Sequence, residues 1–424
     1  MDIQPSSVYH SSWVRRFNEA HPDLAAIQLK EEFLLAEARR ETGLQRFGDE
    51  SFLAGLQALL ESLEAQAALN AFGRFTAQTR TIRSLKNRLW ANACFEAHPE
   101  IRQRKIGAPI IIVGPHRSGT TRLHRMLATD TRLQYLKTWE GMNPAPRTSW
   151  PEMGRAARYE EALTMLRGVR EVCPDAFTAH PMDADWAEEE MLLLNHSFCS
   201  FSALGLYGVP SYYQWFLHAD KTAAYRDMAD LMRLISWSRG DSEGRPWILK
   251  NPQHMLDLDV LIKIFPDAKL IFTHRDPQKT VASAMSLMWF FAVQNTDFPC
   301  RAWIRDIWLD FCEQMARRCM LVRETIPASQ QVDVHFDEVN RDWRSVMRRI
   351  YSFNELEFSP PVENAMREWL ATSKSENHHG RHRYSLEDFG VSREEVDVRF
   401  RFVRDRYAIP YEGRYPLVVY HPTD

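Results

Sequence analysis

The first hundred or so residues carry the hydrophobic spacing of amphipathic helices. Apolar side chains recur every three or four positions in 23–41, 49–70 and 74–97, which predicts a helix in each segment. No strand signal of comparable strength precedes Pro109. We therefore predict an all-helical N-terminal region over 1–106, which covers the core or forms a contact between subunits.

The pattern changes at Pro109 to short apolar runs that are followed by helical segments. The predicted strands are 109–113, 246–250, 269–273 and 331–336. Apolar strands that alternate with helices are typical of a parallel sheet covered on both faces. The prediction is an α/β fold with a P-loop-like parallel β-sheet flanked by helices. It occupies 107–424 and includes a helical insertion at about 140–245 that builds the acceptor site.

The composition and charge of the chain indicate which class of protein it belongs to. Apolar residues make up 45% and charged residues 26% of the 424 positions, the balance of a folded globular chain. The formal net charge of −3 gives no general attraction to nucleic acid, and we predict no such partner. The six cysteines lack CxxC spacing, the N-terminus lacks a signal-peptide profile, and no apolar run suggests a membrane span. These features predict a soluble, cytoplasmic protein with free thiols.

The loop after the first strand has the composition of an anion site. Gly114-Pro115-His116-Arg117-Ser118-Gly119-Thr120-Thr121 stands between a strand and a helix, where backbone N–H groups and the helix N-terminus favour negative charge. The loop resembles a Walker A motif, but Thr120 stands in the place of its lysine. This departure argues against a standard ATPase or kinase. Arg117 supplies a cation from within the loop instead.

Two further strands end in polar residues. Lys250 closes the second strand, and Arg275 follows the third, eight residues before Ser283. Open α/β sheets bind their ligands at the carboxyl ends of the strands. We therefore expect these side chains to lie near the loop after the first strand.

Together these motifs resemble the PAPS-dependent sulfotransferases, in particular their bacterial and tyrosylprotein branch. The resemblance covers 109–290 well and 331–352 loosely. It implies that the loop binds the 5′-phosphosulfate through His116, Arg117, Ser118, Gly119, Thr120 and Thr121. It also implies that Arg275 and Ser283 bind the 3′-phosphate, and that Lys250 and Arg117 are catalytic.

The chain departs from this family in two places. Cytosolic members have a catalytic histidine where this chain has Pro252, so the resemblance leaves two candidates for the general base: Glu140, near the glutamate of the tyrosylprotein branch, and His254. The late basic motif has no clean copy, and Arg381 and Arg383 are the nearest candidates. Their neighbours His378, His379 and His382 lack a carboxylate or cysteine partner at ligand spacing, so we predict no metal site.

The resemblance implies transfer of a sulfuryl group from PAPS to a hydroxyl or amine, with PAP as product and no metal required. The acceptor is predicted to be a partly apolar small molecule of unknown identity. The alternatives are a degenerate P-loop kinase or ATPase and a nucleotide-binding protein that has lost catalysis. The sequence leaves open whether the chain forms a homo-oligomer.

Overall fold

The computed structural model describes residues 9–147, 151–298, 301–376 and 385–412. These residues form a five-stranded sheet and nineteen α-helices. The strands are β1 Gly107–Val113, β2 Gln134–Tyr135, β3 Pro246–Lys250, β4 Lys269–His274 and β5 Gln331–His335. The first ten helices are α1 Ser12–Ala20, α2 Glu31–Thr42, α3 Phe52–Gln66, α4 Ala71–Ala97, α5 Thr120–Leu127, α6 Thr138–Met142, α7 Arg155–Val172, α8 Pro174–Ala179, α9 Met191–Leu194 and α10 Ser202–Leu206. The others are α11 Pro210–His218, α12 Thr222–Arg239, α13 Leu258–Ile264, α14 Pro277–Ala292, α15 Arg301–Arg323, α16 Phe336–Phe353, α17 Pro360–Glu376, α18 Arg393–Arg399 and α19 Arg401–Tyr407.

The chain divides into two compact units. A helical unit contains 1–107, 135–245 and 287–307, and a sheet unit contains 108–134, 246–286 and 308–424. The helical unit therefore joins the predicted N-terminal helices to the predicted insertion. A short return segment, which includes the end of α14 and the start of α15, completes it.

The sheet has the strand order β2-β3-β1-β4-β5. β1 pairs in parallel with β4, with Ile110 beside Lys269, and β4 pairs in parallel with β5. The apolar side chains of these strands are buried because helices cover the sheet, which explains why the strands show no polar alternation. The core on one face contains Ile110, Ile112, Leu123, Met126, Ile248, Ile271, Val334, Val346 and Met347. The predicted α/β class is confirmed.

Several predicted boundaries differ from the structure, and two of the differences have a clear physical reason. The segment 23–41 is not one helix, because its backbone at 27–30 bonds to neighbouring helices instead. The Leu29 N–H donates to Glu64, and the Ile27 carbonyl accepts from Arg74. The predicted strand 331–336 ends one residue early, because the side chain of Glu338 accepts from the His335 N–H and caps α16.

No helix among the described residues combines the length and apolar character that crossing a membrane requires.

Five cysteines in the described part of the chain are free and buried: Cys94, Cys173, Cys199, Cys312 and Cys319. Burial raises the pKa of the Cys312 and Cys319 thiols to about 12, which keeps them protonated and unreactive.

Candidate active site

The loop between β1 and α5 depends on two glycines. A Cβ on Gly114 would lie 1.9 Å from the Thr273 hydroxyl, so only glycine allows β4 to approach the loop this closely. Gly119 has a φ of +86°, a left-handed conformation that favours glycine, and its missing side chain leaves room for Phe336. The Ser118 hydroxyl then bonds the Thr273 hydroxyl at 2.7 Å and ties the loop to the end of β4.

Arg117 lies at the centre of the loop in an unusual backbone conformation. Its φ of +65° is rare for a residue other than glycine, and such strain persists where the surrounding structure enforces it. The Arg117 Nε donates to the Ser283 hydroxyl at 3.2 Å, and its carbonyl accepts from Arg275 at 2.7 Å. The structure thus brings together Arg117, Arg275 and Ser283, three residues that the sequence separates by up to 166 positions.

Lys250 approaches the same loop from the end of β3. Its Nζ lies 3.2 Å from the Thr121 hydroxyl, and the side chain is almost fully buried. Thr120, which is also buried, begins α5 directly after Gly119. The first turn of α5 therefore carries two hydroxyl residues, and a buried cation contacts the second of them. This is the arrangement expected of an anion site.

The pKa of His116 reflects its burial and the positive charge around the loop. Its pKa is lowered to about 3, chiefly by burial and in smaller part by the positive charges of Lys250 and Arg117. Its ring packs edge-on against Trp308 with a centroid distance of 5.4 Å. His116 is therefore neutral at physiological pH.

Arg275 forms an ion pair with an acid that no sequence motif indicated. Its Nε and Nη2 bond the two carboxylate oxygens of Glu412 at 2.7 and 3.0 Å. The guanidinium also stacks on Phe336, 3.9 Å from the ring centroid. Glu412 was missed because it lies 137 positions from Arg275 and belongs to no motif.

A buried ion pair holds the segment that carries Glu412. Asp276 accepts from the Glu412 N–H and from Arg404, both at 2.7 Å, and its side chain is fully buried. The guanidinium of Arg404 also stacks on Tyr411 and donates to the Ile409 carbonyl. Asp276 additionally accepts from the Gln278 N–H, as expected of the residue that caps α14.

A second polar cluster joins the carboxyl end of β4 to the middle of β5. His274 Nε2 and Arg323 Nη2 lie 2.5 and 2.9 Å from the same carboxylate oxygen of Asp333. Burial tends to raise the pKa of Asp333, but the hydrogen bond from His274 and the charge of Arg323 outweigh it and lower the pKa. This cluster therefore holds β4 and β5 together and has no titrating carboxyl at neutral pH.

Glu140 belongs to the helical unit and is engaged in an ion pair. Its carboxylate is bound through both oxygens by Arg239 and is 3% exposed. One of these oxygens also accepts from the Lys137 N–H and so caps α6. The Glu140 carboxylate is therefore held by an arginine and by a backbone N–H.

His254, the other candidate base, is fully buried in the sheet unit. It lies in a 3₁₀ turn, Pro252–Met255, where its N–H donates to the Asn251 carbonyl. Asn251 caps this turn by accepting from the Gln253 N–H at 3.0 Å. A histidine in this position requires a local opening before it meets an acceptor molecule.

The helical unit also contains a histidine–carboxylate pair that was not predicted. His180 Nε2 lies 3.2 and 3.3 Å from the two carboxylate oxygens of Glu188, and Glu188 is buried. Residues 184–188 pair with 136–139, the segment that precedes Glu140, through the antiparallel bridge between Lys137 and Ala187. Acids near a helix start are typical of a favourable helix dipole, so the sequence offered no signal for this pair.

Several predicted residues cannot be placed. Arg381 and Arg383 lie outside the described residues, as do His378, His379 and His382. Within the described ranges, no group of three or more His, Cys, Asp or Glu side chains is arranged to hold a metal ion.

The model of a known family matches this chain over residues 109–360, more than half of its length. That family is described as the sulfotransferase family. The chain belongs to it.

Relatives of known structure or name agree with this family. Sulfotransferase STF9 from Mycobacterium avium is 25% identical, with a TM-score of 0.80 over 92% of this chain and 99% of that one. Sulfotransferase STF1 from Mycobacterium tuberculosis is 27% identical, with a TM-score of 0.71 over 88% and 98%. Omega-hydroxy-beta-dihydromenaquinone-9 sulfotransferase Stf3 from Mycobacterium bovis is 24% identical over 260 residues, which is 57% of this chain. The match spans 61% of the length of that curated relative.

Proposed function

We propose that this member of the sulfotransferase family transfers a sulfuryl group from PAPS to a hydroxyl or amine of a partly apolar small molecule. The observation that carries the proposal is the meeting of Arg117, Arg275 and Ser283 beside a phosphate-binding type of loop. Two guanidinium groups and a hydroxyl suit a nucleotide with phosphates at two positions, because charge-assisted bonds to phosphate favour arginine.

The loop and the residues around it supply the positive charge and hydroxyl groups that the donor nucleotide would require. The N-terminus of α5, with Thr120 and Thr121, would hold the 5′-phosphate, and Lys250 lies against Thr121. Arg275 and Ser283 would bind the 3′-phosphate. In this assignment Arg275 exchanges the carboxylate of Glu412 for a phosphate of the same charge sign.

The reaction requires an acceptor in line with the bond that breaks, a base for the acceptor proton, and stabilisation of the charge that develops on the leaving group. The acceptor oxygen or nitrogen forms a bond to sulfur while the bond between sulfur and the 5′-phosphate oxygen breaks. The acceptor proton passes to the base, and PAP leaves with the bonding electrons. Arg117 and Lys250 neutralise the charge that develops on the bridging oxygen, so no metal is required.

The base is proposed to be Glu140, with His254 as the alternative. Glu140 can serve only after its carboxylate parts from Arg239, and acceptor binding would supply the energy for that exchange. His254 would need an opening of the turn that buries it.

The acceptor class is supported by one relative. Stf3 is named for a hydroxylated menaquinone, an apolar molecule that carries a hydroxyl group. We extend to this chain only the combination of an apolar body and a nucleophilic hydroxyl. The cytoplasmic location and the absence of a nucleic-acid partner stay predictions.

The deciding experiment is transfer from labelled PAPS to a panel of phenols, sterols, lipids, sugars and peptides, each with and without a chelator. We expect at least one sulfated product, and equal rates in the two arms. Turnover that a chelator abolishes and magnesium restores would favour the degenerate kinase or ATPase. Tight PAP binding with no product from any acceptor class would favour a nucleotide-binding protein without catalysis.

A further inference from the structure

The charged side chains among the described residues that line a small cavity in the helical unit are all positive. It encloses about 70 Å³ and is lined by residues of α3, α4, α10 and α11 and of the segment that leads into α10. Two of the described residues that line it are arginines, Arg80 and Arg83, and none is an aspartate or glutamate. Cavities that only complete a core are normally lined by apolar or neutral groups.

The two arginines lie one turn apart on α4, so they share a face of the helix. Within the described part of the chain, neither guanidinium forms an ion pair. The buried Nε of Arg83 has no hydrogen-bond partner there, and its Nη1 lies against the thioether of Met165. An arginine with an unpaired buried nitrogen is costly unless a ligand satisfies it.

Nearby acids do not compensate these charges. Burial lowers the pKa of Arg83 to about 10, and the charge of Arg80 acts in the same direction. Glu161 opposes this shift only partly, because Arg147 holds it through two bonds of 2.9 and 2.6 Å. The cavity therefore carries a net positive charge at neutral pH.

The remaining wall suits an apolar group. Leu59, Leu63, Leu206 and Phe198 line the cavity. The buried Tyr207 lies close enough to both arginines for their charges to oppose the rise in its pKa that burial causes. A ligand that complements both the arginines and the apolar residues of this cavity therefore combines a small anionic group with an apolar stem.

We propose that this cavity binds a carboxylate on an apolar stem, with the carboxylate between Arg80 and Arg83 and the stem against the leucines. The planar pair of carboxylate oxygens matches the guanidinium fork, and it is small enough for this volume. The site belongs to the helical unit alone, so it does not rest on the proposed sulfuryl transfer.

Calorimetry on the full chain tests the proposal with hexanoate, hexan-1-ol, acetate and sulfate as probes. We expect hexanoate to bind at least about tenfold more tightly than any other probe, since it alone combines a charge-assisted hydrogen bond with a buried apolar stem. The variants Arg80→Gln and Arg83→Gln should each lose at least about tenfold in hexanoate affinity.

Lys86→Gln is the matched control. It removes a positive charge from the same helix, but Lys86 pairs with Glu41 and does not line the cavity. Its hexanoate affinity should equal that of the wild type, and thermal melting should show all three variants folded. Arg83→Lys keeps the charge and should retain part of the hexanoate affinity. It is the substitute test if Arg83→Gln does not fold.

Four results would overturn the proposal. Equal affinity for hexanol and hexanoate would make the cavity merely apolar, and equal affinity for sulfate would make it a site for inorganic anions. Absence of binding at millimolar hexanoate would remove the site, and unchanged affinity in both glutamine variants would move it elsewhere. A chain that transfers sulfuryl groups yet fails these tests loses this proposal and keeps the proposed function.

Discussion

Glu412 binds Arg275 through both carboxylate oxygens, and so occupies the guanidinium that would bind the 3′-phosphate of PAP. Both side chains are less than one quarter exposed, which makes this ion pair stronger than a pair at the open surface. The bound phosphate and the Glu412 carboxylate would compete for the same donors. Under the proposed assignment, Glu412 is therefore an internal competitor of the nucleotide.

The variant Glu412→Gln should therefore bind PAP more tightly. We expect a gain of about tenfold, because a charged competitor is replaced by a neutral amide and a charge-assisted hydrogen bond is worth about 1.5–3 kcal/mol. Calorimetric titration with PAP measures the change. Glu394→Gln removes the same charge from an exposed position on α18 and should leave the affinity as it is. A Glu412→Gln variant that binds PAP more weakly would show that Glu412 orients Arg275 for the phosphate.

Arg275 and Ser283 should account for the preference for a 3′-phosphate. The wild type is expected to bind PAP more tightly than ADP by about 1.5–3 kcal/mol for each charge-assisted bond. In the double variant Arg275→Ala, Ser283→Ala this preference should largely vanish while the ADP affinity changes little. Arg367→Ala, an exposed change on α17, is the control for loss of one positive charge. A wild type that prefers ATP, or a double variant that still prefers PAP, would contradict the assignment.

The sequence predicted the arrangement of this site better than its contacts. Apolar strands, the loop glycines and the spacing of Arg275 and Ser283 are local signals, and parallel topology brings strand ends to one edge. The contact between Arg117 and Ser283 follows from that topology. Glu412 could not be predicted, because ion pairs between segments far apart in sequence leave no periodic signal.

The same limit explains the missed elements. β2 is two residues long, too short for any alternation of apolar and polar positions to be recognised. The break before α2 arises from Glu64 and Arg74 on other helices, which take the backbone groups that a continuous helix would use. The spacing of hydrophobic residues alone cannot predict such competition for backbone hydrogen bonds.

Replacement of Glu140 by glutamine should separate binding from turnover. The amide keeps the shape and an oxygen that can cap α6, so PAP affinity should be unchanged while turnover falls by about 10²–10⁴-fold, the usual effect of losing a general base. Steady-state kinetics and titration with PAP would measure turnover and binding separately.

The alternative base His254, and His180, which contacts Glu188, provide the controls for Glu140. His254→Gln and His180→Gln should retain most of the activity if Glu140 is the base. An active Glu140→Gln variant beside an inactive histidine variant would transfer the role to that histidine.

Removal of Arg117 should lower the rate more than it weakens binding. Its charge is needed most when the bond to the leaving 5′-phosphate oxygen breaks, so an interaction stronger in the transition state is lost in Arg117→Ala. Single-turnover rates and PAP affinities give the two losses separately. Arg122→Ala, which removes an arginine bonded to Asn340 on α16, is the neighbouring control. Equal losses of rate and affinity in Arg117→Ala would mean that Arg117 only anchors the nucleotide.

His116 should make the folded chain sensitive to acid. Its pKa is about 3 in the folded state, chiefly through burial, against an ordinary value of 6.5 in the unfolded chain. The unfolded state therefore binds one more proton between these values, so the stabilising contribution is complete above pH 6.5 and is lost progressively as the pH falls toward 3. The slope contributed by one such group approaches about 1.4 kcal/mol per pH unit.

Urea unfolding at a series of pH values would measure this slope, and His116→Gln should reduce it by up to that amount. His196, whose pKa burial also lowers to about 3, should add a similar contribution that persists in the variant. His98→Gln changes a histidine whose side chain is 40% exposed and should leave the slope as in the wild type. An unchanged slope in His116→Gln would mean that His116 becomes protonated without unfolding. The loop would then tolerate a third positive charge beside Arg117 and Lys250, contrary to the electrostatics that hold His116 neutral.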